Sequence, residues 1–159
     1  MNFNQTTDSP FGPLEIRASA KGLLSIDFEP SVLTEHPNII TQSTCTQLSE
    51  YFKGTRRKFE LPLDWSAHST FFVTVWTLLR KLPFGETTTY KELAVKLGDR
   101  NKVRAVGMAN AKNPIPIIVP CHRVIGTNGK LTGFAWGLEI KQKLLEMEGI
   151  GFPKQLILF

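Results

Sequence analysis

Cysteine is scarce in this sequence of 159 residues: Cys45 and Cys121 are its whole complement. Two are too few for a disulfide framework, and in a reducing compartment both stay thiols. The three histidines, His36, His68 and His122, stand at no spacing that would join the cysteines in a four-ligand zinc site. No metal is therefore expected. No apolar run approaches the roughly 20 residues needed to span a bilayer, and residues 1–16 lack the basic and apolar regions of a signal peptide. A membrane partner is not expected, and a cytoplasmic location is. Internal repeats and low-complexity tracts are missing as well. What remains is 42% hydrophobic and 21% charged, the make-up of a globular chain. Its length suits one ordinary domain or two small ones.

Charge is present but unevenly spread. The total is +5, with −2 over residues 1–68 and +7 over residues 69–159. A basic half beside a mildly acidic one points to a polyanion partner for the former, against the simpler reading of a solvated basic surface.

The acidic half reads as a small mixed unit. In "SPFGPLEIRASAKGLLSIDFE", Leu14, Ile16 and Ala18 alternate with polar residues, "AKG" offers a turn, and Leu23, Ile26 and Phe28 follow; this predicts a hairpin. Thr41 to Lys53 predicts a helix with Leu48, Tyr51 and Phe52 on one face, Cys45 as a small packing residue and Gly54 as the stop. "RRKFELPL" predicts a further strand. The division read from the sequence is a scaffold domain over 1–63, a linker over 64–68 and a second domain over 69–159.

The basic half changes period. Phe72, Val75, Trp76 and Leu79 fall at i, i+3, i+4 and i+7, an amphipathic helix that Pro83 ends. Thr89 and Glu92 form a capping-box pair for the next helix, which Gly98 terminates. A further helix runs from about Lys102 to Ala111, so residues 89–111 have the layout of a helix-turn-helix. Its second helix, "NKVRAVGMANAK", combines Lys102, Arg104 and Lys112 with small residues such as Ala105, Gly107 and Ala109. Small side chains admit a close backbone and basic ones pair with phosphates, which suits DNA; tight core packing is the other use of such a helix. The last helix, about Leu138 to Glu148, puts Glu148 on a face with Lys141, Leu144 and Leu145. A carboxylate so near a core calls for a partner.

"NPIPIIVPCHRVIG" holds the second cysteine, with His122 directly after it. A thiol reacts as thiolate, a minor species at neutral pH unless a base assists. Neighbouring residues on a regular strand point apart, so Cys121 and His122 would need an irregular backbone, which Pro120 favours, or a bridging water. Glu148 is the best acid to orient the imidazole. The constellation is then Cys121, water, His122, Glu148. Arg123 could simply pair with a carboxylate to hold the loop.

"PCHRV", with "RAVG" and "NPIPIIV" before it, "GFAWG" and "LLEMEG" after it and "PFGETTTYKELA" upstream, resembles the O6-alkylguanine-DNA alkyltransferases over about residues 69–150. The first 60 or so residues match more loosely, in "SPFGPL". The resemblance implies an α+β fold: an N-terminal ribonuclease-H-like α/β domain and a C-terminal, mainly helical domain with a helix-turn-helix. It implies DNA repair by direct transfer of an alkyl group from O6-alkylguanine, with O4-alkylthymine as a second substrate, onto Cys121. The product thioether is permanent, so each molecule acts once as a monomer on double-stranded DNA, with no cofactor. In this reading His122 is the water-mediated base, Glu148 orients it, and Tyr90 serves the leaving guanine. Asn113 is the hinge between the recognition helix and an active-site strand. Arg104 enters the base stack as the target flips out, beside Lys102 and Ala105 on the DNA face. Phe134, Ala135 and Trp136 form the substrate loop. Two positions depart from the family: Phe134 stands where tyrosine is frequent, and Trp136 where glycine is, which predicts a pocket narrowed against groups such as benzyl. The rival readings are a damage sensor without chemistry, a transcription regulator and a cysteine hydrolase turning over repeatedly.

Overall fold

The computed structural model describes residues 2–28, 30 and 34–151. The end of the expected second domain, residues 152–159, lies outside them. The chain divides into two compact units, residues 1–67 and 68–159.

The first unit is an antiparallel sheet in the order β1 (Asn2–Thr7), β2 (Leu14–Ser19), β3 (Leu23–Phe28), with helix α1 (Ile39–Phe52) packed on it. The β2–β3 hairpin is the one expected: Leu14 faces Phe28 and Ile16 faces Ile26, and the apolar residues of β2 are fully buried. Strand β1 has no sequence signal, because Phe3 is its lone apolar residue and it lies at the sheet edge. Helix α1 starts two residues before the expected Thr41. Asn38 is its cap, accepting from the Thr41 amide at 2.9 Å while its own amide donates to the Thr41 hydroxyl at 2.9 Å.

The strand expected in "RRKFELPL" reduces to one bridge between Leu23 and Leu63. The Gln47 side chain takes both backbone groups of Glu60, at 3.1 and 2.9 Å, so they are not available to a ladder. Gly22 is what lets this segment lie against the sheet: a Cβ there would stand 2.6 Å from the Leu63 carbonyl carbon. Asp64, at the head of the expected linker, accepts from Ser19 at 2.6 Å, and its amide donates to Leu23 at 2.9 Å.

The second unit carries α2 (Thr70–Arg80), β4 (Thr88–Thr89), α3 (Tyr90–Lys96), α4 (Val103–Ala111), β5 (Val124–Ile125) and α5 (Leu138–Met147), with single 3-10 turns at Arg100–Lys102 and Cys121–Arg123. Val75, Trp76 and Leu79 bury the inner face of α2, as its period requires. Trp76 is fully buried, and its indole N–H donates to the Ala109 carbonyl at 2.8 Å, which ties α2 to α4. Thr89 caps α3 through the Glu92 amide at 3.0 Å, but the expected box is only half made. The Glu92 carboxylate accepts from the Thr88 hydroxyl at 2.8 Å instead. Gly98 takes φ +89° after α3, the left-handed stop that the sequence announces.

Strands β4 and β5 pair in parallel, Thr88 with Val124 and Thr89 with Ile125. This short ladder brings the start of α3 beside the segment after the cysteine.

Candidate active site and DNA-contact helix

The segment before Cys121 is a coiled loop, where a strand was expected. The Asn113 side chain organises it, donating to the Val119 carbonyl at 2.8 Å and accepting from the Ile115 amide at 3.0 Å. Ile117 adopts φ 74°, a left-handed conformation rare for a β-branched residue and costing about 1–3 kcal/mol. Ile115, Ile117 and Val119 are nonetheless buried, and the Val119 amide closes on Ile115 at 3.0 Å. Packing holds the strain. The chain then enters the 3-10 turn at Cys121, the irregular backbone that an adjacent thiol and imidazole demand.

That turn sends the two side chains to different surroundings. Cys121 opens into a cavity of about 360 Å³ that Tyr90, Asn110, Asn113, Phe134 and Ala135 also line. His122 and Glu148 lie behind it, both fully buried at the side chain, with Nε2 and Oε2 2.7 Å apart. His122 Nδ1 is buried and has no protein partner among the described residues. Glu148 sits at the C-cap of α5. It also accepts from Arg123, Nε to Oε1 at 2.8 Å and Nη2 to Oε2 at 3.0 Å, and from the Gly85 amide at 3.2 Å.

Burial dominates the electrostatics. It pushes the Cys121 thiol up to about 11, against the Asn113 amide, the Lys141 charge and the amides of Cys121 and His122, which favour the thiolate. Burial also lowers His122 below an ordinary imidazole, while Glu148 opposes it. Burial alone would raise the Glu148 carboxyl, but hydrogen bonds from His122 and Arg123, together with their charges, hold it well below the usual carboxylate range.

Lys141 and Asn110 are site residues that the sequence reading missed. The Lys141 side chain is fully buried and donates to the carbonyls of Val124, Thr132 and Gly133 at 2.7, 2.9 and 3.0 Å. Burial lowers it to about 8, with Cys121 pulling the other way. A lysine three and four residues before Leu144 and Leu145 was the available signal. Asn110 is buried in the cavity wall with its amide 3.4 Å from the Cys121 carbonyl. The Tyr90 hydroxyl donates to the Thr132 carbonyl at 3.1 Å, and burial raises its pKa.

Phe134 and Ala135 line the cavity; Trp136 is not among the lining residues. The Trp136 ring meets that of Phe134 edge-on, centroids 6.1 Å apart.

Lys102, in the turn before α4, and Arg104 and Ala105, on α4, are exposed. The Arg104 side chain makes no hydrogen bond or ion pair to a described residue. The Lys102 ammonium stands 5.6 Å from the Phe71 ring centroid, a cation–π contact. Among the described residues no group of three or more His, Cys, Asp or Glu could hold a metal ion, and no helix is long and apolar enough to cross a membrane.

A buried thiol at the floor of a pocket, an imidazole–carboxylate pair behind it and a helix-turn-helix beside it define a DNA-binding domain with a built-in nucleophile. Two family models cover nearly the whole chain: the 6-O-methylguanine DNA methyltransferase ribonuclease-like domain over residues 2–65 and the DNA binding domain of the same family over residues 70–150. The chain belongs to the 6-O-methylguanine DNA methyltransferase family. It is 44% identical to the methylated-DNA–protein-cysteine methyltransferase of Methanosarcina barkeri, over 89% of this chain and 93% of that one. It superposes on the O6-methylguanine methyltransferase of Mycobacterium tuberculosis with a TM-score of 0.83 and 38% identity, over 97% and 96% of the two chains. The structure of that organism's OGT in complex with DNA matches with a TM-score of 0.83 and 40% identity, over 91% of each chain.

Proposed function

We propose that this chain repairs O6-alkylguanine in double-stranded DNA by moving the alkyl group onto the sulfur of Cys121, once per molecule. The observation that carries the reading is Cys121 at the floor of a nucleobase-sized cavity with the His122–Glu148 pair directly behind it. The thiol proton passes through a bridging water to His122 Nδ1, the buried nitrogen that has no partner among the described residues. The sulfur then forms a bond to the alkyl carbon as the bond from that carbon to O6 breaks. The guanine leaves as an anion, and a hydrogen bond from Tyr90 and the amide of Ala135 stabilise it. The product is a thioether, and the chemistry balances without metal or cofactor. O4-alkylthymine has the same leaving-group chemistry and is the second candidate substrate. Asn113 holds the loop that aims the thiol, and Phe134 packs on the base. Residues 69–159 do this work as a monomer in the cytoplasm, where a thiol stays reduced, with residues 1–63 as scaffold.

A base inside a duplex cannot reach that floor and must flip out, at a cost of a few kcal/mol. Arg104, whose side chain is exposed and has no partner among the described residues, fills the gap, flanked by Lys102 and Ala105. Arg104→Ala is expected to slow transfer from duplex DNA by roughly a hundredfold while sparing reaction with the free base O6-benzylguanine; single-turnover rates on both substrates check it. Trp136→Gly is expected to slow reaction with O6-benzylguanine by up to about tenfold, because Phe134 loses an edge-on partner worth roughly 0.5–1.5 kcal/mol. A faster variant would instead favour steric narrowing by the indole.

The direct test of the reading is intact mass after incubation with duplex containing O6-methylguanine. One added methyl per chain, located on Cys121 by peptide mapping, supports it. Repeated turnover of substrate with an unmodified chain overturns it in favour of a hydrolase.

A further inference from the structure

Arg123 and His122 share one carboxylate, and that sharing has a chemical consequence. The guanidinium fork spans Glu148, Nε on Oε1 at 2.8 Å and Nη2 on Oε2 at 3.0 Å. Oε2 is the same oxygen that faces His122 Nε2 at 2.7 Å. The third arm of the fork, Nη1, donates to the Leu82 carbonyl at 2.7 Å and fixes its orientation. Gly85 adds its amide to Oε1. Each carboxylate oxygen thus carries at least two donors before any proton reaches the imidazole.

A carboxylate facing a buried imidazole alone would favour the imidazolium strongly, because no water screens the pair. Here the negative charge of Glu148 is already engaged by a cation. The charged groups facing His122 are Glu148 and Lys141 from α5 and Arg123 from its own turn, with the Cys121 thiol on the cavity side. Burial is the largest influence and disfavours a second proton on the ring; Glu148 opposes it, and Arg123 and Lys141 act in the same direction as burial. The geometry also sets the tautomer: Nε2 keeps its hydrogen for Glu148, which leaves a lone pair on the buried Nδ1.

We propose that Arg123 is a positioning residue that sets the basicity of His122 through their common carboxylate, keeping the imidazole neutral at rest and making the proton it takes from the thiol easy to pass on. The proposal rests on the reading of His122 as the base for Cys121. A lysine could not substitute fully, since a point charge cannot span both oxygens and the Leu82 carbonyl at once.

The test is the pH profile of single-turnover methyl transfer from O6-methylguanine duplex for the native chain, Arg123→Lys and Arg123→Gln. With the fork gone, His122 becomes more basic. The acid limb should move to higher pH by about one unit or more in Arg123→Gln, with Arg123→Lys between. A lower plateau with an unmoved acid limb means that Arg123 only holds the loop, and overturns the proposal. Should the variants not fold, nitrogen-15 NMR of the His122 ring in the native chain decides. The ring should stay neutral, with hydrogen on Nε2, at and below about pH 6.5; an imidazolium at pH 7 overturns the proposal. A native chain that takes up no methyl sinks the parent reading instead, and comparing the ring titration of the native chain with that of Arg123→Gln still reports on Arg123.

Discussion

Glu148→Ala is expected to abolish alkyl transfer and to cost the second unit about 3–5 kcal/mol, the toll of leaving a buried charge without its counter-ion. The residue is a hub: its carboxylate holds His122, both ends of the Arg123 fork and the Gly85 amide. Alanine would strand a guanidinium that is only 6% exposed at its side chain. It would also free the imidazole to rotate. Glu148→Gln keeps the shape but not the charge, so it should melt between the native chain and the alanine variant. The pH dependence follows from the sign of the shift. The Glu148 carboxyl sits well below its ordinary value in the fold. Its stabilisation is therefore present in full above the unfolded carboxylate value of about 4.3, and is lost as the pH falls toward the folded one. The stability gap between native and alanine chains should close as the pH is taken below about 4. Urea melts across pH, together with intact-mass assays, check both parts. An alanine variant as stable as the native chain at neutral pH would remove Glu148 from the centre of this account.

Cys121→Ser is expected to leave the fold and duplex binding intact and to lower transfer by at least roughly a thousandfold. Sulfur and oxygen differ little in size, and the side chain faces a cavity, so packing barely changes. The chemistry changes greatly. A thiol can yield its proton to an imidazole through one water, whereas an alcohol is a far weaker acid and a poorer nucleophile toward saturated carbon. The face of α4 proposed to meet DNA is untouched, so the variant should bind methylated duplex and hold it. Cys45→Ser provides the contrast. That thiol lies in the first unit, where burial raises it to about 11. It should neither take up methyl nor alter the rate. Intact mass and a duplex-binding titration on the same samples separate the outcomes. Residual methyl uptake by Cys121→Ser would mean that another atom is the acceptor.

Period and capping made the second unit largely legible. The i, i+3, i+4, i+7 run in α2, Thr89 at the start of α3 and Gly98 at its end all stand where the sequence puts them. The first unit was less legible for a physical reason. Strand β1 lies at an edge and carries one apolar residue, so alternation could not reveal it. The "RRKFELPL" segment has strand-like composition, yet a glutamine side chain claims its backbone. In the site, the Cys121–His122–Glu148 grouping was readable because one motif and one misplaced acid supply it. The convergence of Lys141 on three carbonyls was not, since no residue type marks which carbonyls lie within reach. Nor could Ile117 announce a left-handed backbone, a conformation its side chain opposes.

The carbonyl of Thr132 serves two masters, the Tyr90 hydroxyl and the Lys141 ammonium. If the phenol turns its hydrogen toward a bound purine, as proposed above for Tyr90, that oxygen still has the ammonium as a donor. A standby donor of this kind leaves the phenol hydrogen free to turn without stranding its present acceptor.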